Sequence, residues 1–221
     1  FTIFSGTQTQ MLYGGAGDDV FIFQNNAVMS NTIDGGVGSD VLDYAAYVNP
    51  RNFVLTGLGT VDGFQGTETS IPSGFDNINT LIGSAGTDSL TGFDLDVTWN
   101  IFDNTGAARY TVGTNLLDFS SIENLIGGAG DEIFIFGDGA QLPGTFNSID
   151  AKGGIDTLDY SAYTTPVQVS LTGGVATGVT GGVNGFENVI GSLTGGNVIY
   201  GDNNANILVA GDGDDTLIGY G

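Results

Sequence analysis

Short apolar segments alternate with glycine-rich turns along this chain, and the alternation follows a nine-residue frame. The frame has the form Gly-Gly-x-Gly-x-Asp-x-apolar-x, so a tight turn and a carboxylate come directly before a strand residue. Two copies are complete, at 14–22 and 35–43, with Asp19 and Asp40 at position six. Glycine permits the left-handed backbone that such turns need, and the alternating segments between the turns predict short β-strands.

Looser copies of the frame keep most of the glycines and an acid at position six: 83–91 with Asp88, 127–135 with Glu132, 151–159 with Asp156 and 210–218 with Asp215. Nine residues before most of these acids lies a polar residue, and an apolar residue follows it two positions later. This pair indicates a further half-turn. Two nonapeptides would then form one coil of two strands and two turns, and no segment has a helical period. We therefore predict an all-β, right-handed parallel β-solenoid (a β-roll or β-helix) with inserted larger rungs.

The chain also contains a tandem duplication. Residues 14–23 recur as 127–136, and residues 40–47 recur as 156–163. Repeats of this kind stack on their neighbours and bury one shared core. We predict one continuous solenoid made of two cassettes: 1–122, with a spacer at 92–122, and 123–221, ending in a regular β-roll.

The net charge of the chain excludes some classes of function and favours others. The chain has 25 acidic and three basic residues, for a formal charge of −22. Nucleic-acid affinity comes largely from Lys and Arg that neutralise phosphates, so nucleic acid is excluded as a partner. The same negative field destabilises a compact state unless cations offset it. About five bound Ca²⁺ ions would offset nearly half of the charge, which would link metal binding to folding.

Composition also argues against catalysis. Cysteine and histidine are both absent, which removes disulfides, thiol chemistry and imidazole bases. No apolar stretch is long enough to insert into a membrane. Paired carboxylates do occur in glycosidases, but here the acids lie in glycine turns and nothing marks one pair for an acid–base role. We therefore expect a protein that is not an enzyme.

The position-six acids are candidate calcium ligands. Ca²⁺ takes six to eight oxygens from carboxylates and backbone carbonyls, and glycine turns expose such carbonyls. The predicted metal ligands are Asp19, Asp40, Asp88, Glu132, Asp156, Asp212, Asp214 and Asp215. Two alternatives stay open: the acids only hydrogen-bond their own turns, and Asn188, Asn197 and Asn206 form an uncharged asparagine ladder.

Aromatic residues recur at matching positions of the two cassettes. Phe21 and Phe23 correspond to Phe134 and Phe136, and the tyrosines of 44–47 correspond to those of 160–163. Such residues either pack in the core, with tyrosine hydroxyls bonded to turns, or form a surface for sugars or a partner. Core packing is the favoured interpretation.

The complete frames, together with residues 200–219, resemble the RTX-type calcium-binding β-roll repeats. The 121–128 segment and the Asp-Tyr-(Ala/Ser)-Ala-Tyr unit resemble repeat regions of very large bacterial haemagglutinin-like and adhesin surface proteins. The resemblance implies export by a one-step bacterial secretion system, an unfolded state at low cytosolic calcium, and folding outside the cell. The interrupted motifs depart from the family pattern. The chain begins at Phe1 and its last residues look like the start of another nonapeptide, so we expect a segment of a longer polypeptide.

These observations favour a calcium-stabilised, secreted structural or adhesive segment of a bacterial surface protein. Open solenoid ends would allow end-to-end self-association into a fibre or layer. A cell-surface glycan or protein is the other partner hypothesis. Two alternatives remain: an accessory folding module of a secreted hydrolase or toxin, and a solenoid that binds glycan or ice.

Overall fold

The computed structural model describes residues 1–145 and 147–220. Throughout these residues the chain is all-β, without a helix, and its strands pair mostly in parallel. The all-β class is therefore confirmed, as is the parallel pairing that stacked nonapeptides require.

Most strands are two to five residues long. In chain order they are β1 (Thr2–Ile3), β2 (Gly6–Gln8), β3 (Leu12–Ala16), β4 (Val20–Phe23), β5 (Ala27–Met29), β6 (Ile33–Val37), β7 (Val41–Asp43), β8 (Asn52–Leu58), β9 (Phe64–Glu68), β10 (Ile71–Ile78), β11 (Thr80–Ile82), β12 (Ser89–Thr91), β13 (Val97–Ile101), β14 (Ala108–Val112), β15 (Asn115–Ser120), β16 (Asn124–Ile126), β17 (Glu132–Phe136), β18 (Ser148–Asp150), β19 (Thr157–Asp159), β20 (Gln168–Ser170), β21 (Val175–Ala176), β22 (Val183–Asn184), β23 (Asn188–Ile190), β24 (Val198–Tyr200), β25 (Ile207–Val209) and β26 (Thr216–Ile218).

The chain divides into two compact units. The first comprises Phe1–Phe93 and Tyr110–Ile122, and the second comprises Asp94–Arg109 and Glu123–Gly221. The segment 92–122, predicted as a spacer, contains strands β13, β14 and β15 and contributes residues to both units.

In the first unit, strands β1, β4, β7, β11 and β15 pair in that order, and every pair is parallel. A second set runs β3, β6, β10, β9, β8 and β12, in which β3–β6, β6–β10 and β8–β12 are parallel. Strands β2 and β5 form a separate parallel pair. Strands far apart in sequence therefore become neighbours, as coil-on-coil stacking requires.

The second unit follows the same principle. Strands β13, β17, β19, β23 and β25 pair in parallel in that order. Strands β16, β18 and β22 form another parallel set. Strand β24 pairs in parallel with both β20 and β26.

Strand β9 and strand β21 depart from the parallel pattern. Strand β9 pairs antiparallel with both β8 and β10, and β21 pairs antiparallel with β20. Both lie in the insertions between nonapeptides, for which the sequence predicts extra or enlarged rungs of the same coil. A short connection can join only antiparallel neighbours, so each insertion folds back on itself as a hairpin.

Apolar position-eight residues and their partners stack in columns that form the core. One buried column of the first unit consists of Phe21, Leu42, Leu81 and Phe119. One buried column of the second unit consists of Trp99, Phe134, Leu158 and Val189. Full burial of one such side chain contributes about 1.5–3 kcal/mol, so these columns are a major source of stability.

The recurring aromatic residues also belong to the core. Phe23 stacks on Tyr44 with ring centroids 4.3 Å apart, and Phe136 stacks on Tyr160 at 4.8 Å. All four side chains are fully buried. The Tyr160 hydroxyl donates a hydrogen bond to the Thr177 carbonyl at 2.7 Å. Core packing is therefore confirmed for these residues, and the Tyr160 hydroxyl bonds to backbone, whereas the Tyr44 hydroxyl donates to Glu68 Oε2.

The first glycine of the frame is required by a close approach. A Cβ on Gly127 would lie 2.7 Å from Glu132 Oε2 and closer still to the Ala151 carbonyl oxygen. Gly35 is in the same situation, because its Cβ would lie 2.5 Å from Asp40 Oδ2. The carboxylate of position six thus occupies the space that a side chain at position one would need.

We expect Gly127→Ala to lower the free energy of unfolding by about 1–3 kcal/mol, the usual cost of overpacking a filled site. Gly153→Ala is the matched control, since nothing lies within 4 Å of its Cβ position. That variant should stay within about 0.5 kcal/mol of the parent. Urea unfolding of both variants measures the difference, and equal losses would contradict the steric explanation.

Candidate functional site

Four position-six acids are completely buried at the turns: Asp40, Asp88, Glu132 and Asp156, all 0% exposed. A buried carboxylate costs several kcal/mol unless donors or charges compensate it. The groups that meet each oxygen therefore determine what these turns can do.

A ladder of hydrogen bonds joins position-six side chains to the neighbouring coil in the first unit. The Asp19 N–H donates to Asp40 Oδ1 at 2.9 Å, and the Asp40 N–H donates to Asn79 Oδ1 at 3.0 Å. Each side chain thus accepts the amide hydrogen of the equivalent residue one coil away. The ladder shows which turns are neighbours, even where 39 residues separate them in sequence.

The second unit contains two such ladders. The Glu132 N–H donates to Asp156 Oδ1 at 2.7 Å, and the Asp156 N–H donates to Glu187 Oε2 at 2.8 Å. In the other ladder the Val167 N–H donates to Asn197 Oδ1, and the Asn197 N–H donates to Asp215 Oδ1 at 2.8 Å. Asn197 therefore performs the same structural task as the acids without a charge.

Among the residues that the structure describes, one oxygen of three buried acids has no hydrogen-bond partner: Asp40 Oδ2, Glu132 Oε2 and Asp156 Oδ2. Asp88 differs, because Arg51 N–H and the Ser84 hydroxyl donate to its Oδ1 at 2.5 and 2.8 Å, and the Ser84 N–H donates to its Oδ2. These three oxygens therefore lack the hydrogen-bond donor or positive charge that a buried carboxylate needs.

Burial changes the proton affinity of these acids. It raises the pKa of Asp40, and the nearby charges of Asp19, Asp62 and Asp18 raise it further. Burial also raises the pKa of Glu132 to about 8 and that of Asp156 to about 6, and these two neighbours titrate as a pair. Without a cation, the folded chain therefore still holds protons at pH values where the unfolded chain has already released them.

The other predicted ligands are more exposed. Asp19 and Asp215 are half-buried, while Asp212 and Asp214 are exposed. Within residues 1–145 and 147–220, no three Asp, Glu, His or Cys side chains converge as a metal-binding group. A cation at these turns would therefore need backbone carbonyl oxygens as well as carboxylates, which is compatible with Ca²⁺.

Sequence reasoning missed three residues of the turns. Asn79 was identified only as the start of a half-turn, yet its side chain is the next ladder acceptor after Asp40. Glu187 lies in the repeated Phe-(Asp/Glu)-Asn unit, but the matching Asp76 accepts bonds from Thr60 instead of a ladder amide, so this repeat does not indicate the role of Glu187. Asp62 lies in an insertion without a motif, so nothing in the nonapeptide frame could have indicated it.

A separate ionic cluster is buried in the first unit. Arg51 Nη1 lies 3.1 Å from Glu68 Oε1, and its guanidinium carbon lies 4.3 Å from the centre of the Tyr47 ring. The Tyr44 hydroxyl and the Ser70 N–H donate to Glu68 Oε2 at 3.0 and 2.7 Å. Arg51 is the only basic residue in this unit, and its guanidinium is engaged by Glu68 and the Tyr47 ring.

Models of known protein families give no match to this chain, and curated proteins give no significant match either. Within the two described ranges, no helix has the length and apolar character needed to span a membrane. The function must therefore be argued from the turns themselves.

In metal-free buffer we expect stability to fall as pH rises from about 4.5 to about 8. Glu132 and Asp156 have raised pKa values when folded, so over this interval the folded state holds more protons than the unfolded state. Stability then decreases by up to about 1.4 kcal/mol per pH unit for each such proton. Urea unfolding midpoints across this range measure the slope.

Glu132→Gln should flatten that pH profile, because the substitution removes the group with the larger upward shift. Asp159→Asn is the control: its Oδ1 accepts the Ser161 N–H at 2.8 Å, a bond that the carboxamide can also make. An unchanged slope in Glu132→Gln would show that other groups govern the pH dependence.

Proposed function

We propose that this chain is a β-solenoid segment whose turns bind Ca²⁺, and that it has a non-enzymatic, structural and adhesive role in a large secreted bacterial surface protein. The observation that carries the proposal is the set of buried, unpartnered carboxylate oxygens on Asp40, Glu132 and Asp156. Buried carboxylates of this kind need either a proton or a cation.

Calcium suits these oxygens better than other common metals. Thiolate and imidazole ligands are absent from the sequence, and hard oxygen donors select Ca²⁺ or Mg²⁺. Mg²⁺ demands near-ideal octahedral geometry, whereas Ca²⁺ accepts irregular sets of carboxylate and carbonyl oxygens. Asp40, Glu132 and Asp156 would hold the ions together with turn carbonyls. The bound ions would supply positive charge where the turns bring acids together.

The solenoid itself is supported by the in-register parallel columns in each unit, in which corresponding residues of successive coils face one another. Parallel strands of one sheet are joined by right-handed crossovers in about 98% of cases, which favours the right-handed form. The hairpin insertions would then enlarge individual rungs of the coil.

A secreted location is supported by the overall charge and by the resemblance to RTX repeats. A chain with 25 acids and three basic residues resists folding until cations are supplied. Calcium is scarce in the cytosol and abundant outside the cell, so a calcium-dependent chain would fold after export. A structural segment built in this way gains its rigidity where it is used.

We expect Ca²⁺ to raise the melting temperature of the chelator-treated chain and to increase its β-sheet circular dichroism signal. A site with a free Ca²⁺ concentration 100 times its Kd stabilises the folded state by about 2.7 kcal/mol. Both measurements should be repeated with Mg²⁺, which should be less effective. A melting temperature that changes neither on chelation nor on addition of Ca²⁺ would refute the calcium-binding function. The turns would then be purely structural.

A further inference from the structure

The hairpin formed by β8 and β9 is anchored at its tip. The Thr60 N–H and hydroxyl donate to the two carboxylate oxygens of Asp76 at 3.0 and 2.7 Å. The Val61 N–H donates to Asn77 Oδ1 at 2.8 Å, and Asn77 Nδ2 in turn donates to Asp34 Oδ1 at 2.7 Å. The tip is therefore fixed against β10 and, through Asn77, is linked to Asp34 of β6.

This anchoring places Asp62 beside the turn that contains Asp40. Asp62 Oδ2 accepts the Gly38 N–H at 3.3 Å, while Asp62 Oδ1 is buried and finds no hydrogen-bond partner in the described part of the chain. Asp40 is 0% exposed and its Oδ2 also lacks a partner. Two carboxylates from different parts of the chain thus leave one oxygen each unsatisfied at the same turn.

A backbone carbonyl adjoins these carboxylates. A Cβ on Gly35 would lie 2.5 Å from Asp40 Oδ2 and closer still to the Asn77 carbonyl oxygen, so these two oxygens are close neighbours. Asn77 has a φ of 56°, a left-handed backbone conformation that is uncommon for a residue other than glycine. The turn therefore offers a neutral oxygen beside the charged ones.

The surrounding residues supply negative charge and no cation. Asp18 accepts the Ser39 N–H at 2.8 Å, and the charges of Asp62, Asp18 and Asp19 contribute to the raised pKa of Asp40. Arg51, the only basic residue in this unit, is held by Glu68. Countercharge for this turn has to come from solution.

We propose that Asp62 is a ligand, together with Asp40 and backbone carbonyls, of an oxygen-coordinated divalent cation of the Ca²⁺ type. The hairpin tip would then supply the carboxylate that a directly following nonapeptide supplies in an uninterrupted repeat. The proposal rests on the calcium function proposed above, but it adds a ligand from outside the nonapeptide frame.

The second unit provides an internal contrast. Leu55-Thr56-Gly57 of the first hairpin corresponds to Leu171-Thr172-Gly173, where β20 turns into β21. The second turn, between β20 and β21, consists of Leu171, Thr172, Gly173 and Gly174 and carries no acid. Glu187 lies beside Asp156 instead and accepts its N–H. The Asp62 site therefore belongs to the first unit alone.

Equilibrium Ca²⁺ binding to the full chain tests the proposal, with stoichiometry and affinity measured by calorimetry and by dialysis with metal analysis. Asp62→Asn should bind one fewer Ca²⁺ per chain, or bind that ion much more weakly, while the carboxamide still accepts the Gly38 N–H. Asp43→Asn is the matched control, because it removes one charge in the same unit and keeps its 2.9 Å bond from the Ala45 N–H. Asp62→Ser, checked by circular dichroism, guards against an effect particular to asparagine.

The outcomes separate the two proposals. If the parent binds Ca²⁺ and both Asp62 variants keep its full stoichiometry and affinity, the Asp62 site is refuted while the general calcium function stands. If Asp43→Asn loses as much binding as Asp62→Asn, the effect is a diffuse charge effect and the ligand assignment fails. If the parent binds no Ca²⁺, both proposals fail.

Discussion

One interaction organises both units: the position-six side chain of a turn accepts the backbone N–H of the equivalent residue in the adjacent coil. Asp40, Asp156 and Asn197 all make it, at 2.7–3.0 Å. The bond fixes the coil register, because a one-residue slip would remove the acceptor and turn the strand's apolar side chains outward. It also explains the first glycine of the frame, since the inward-pointing side chain fills the space that a Cβ would need.

The same position can be charged or neutral, and the duplication shows what accompanies each choice. In the first unit, Asp88 accepts the Arg51 N–H, and Arg51 pairs with Glu68. At the corresponding place in the second unit, Asn197 accepts the Val167 N–H and the bonds from Ser192. Acid and arginine are thus both replaced by neutral residues. This pattern follows from the cost of burying an uncompensated charge. A turn with both the acid and the arginine, or a turn with neither, is therefore favourable.

Local structure was predictable from the sequence because the nonapeptide encodes it directly. Glycines mark the turns, and alternating residues such as Phe21 and Phe134 mark the buried strand positions. Which turns contact one another was harder to predict from the sequence, because insertions of different lengths determine which coils are neighbours. The 39-residue separation of Asp40 and Asn79, the antiparallel course of β9 and the position of Asp62 all depend on contacts that have no sequence period.

Under the proposed calcium binding, these constraints would make folding and cation binding parts of one equilibrium. The ladder needs the position-six side chain inside the turn, and the glycine permits it, but burial leaves Asp40, Glu132 and Asp156 with an oxygen that no donor reaches. Protonation satisfies such an oxygen at low pH, whereas the proposed cation would satisfy it at higher pH without removing the ladder acceptor. A neutral side chain such as Asn197 needs neither. The number of acids kept at ladder positions therefore sets how strongly the fold depends on its ionic surroundings, independently of the apolar core that both kinds of turn share.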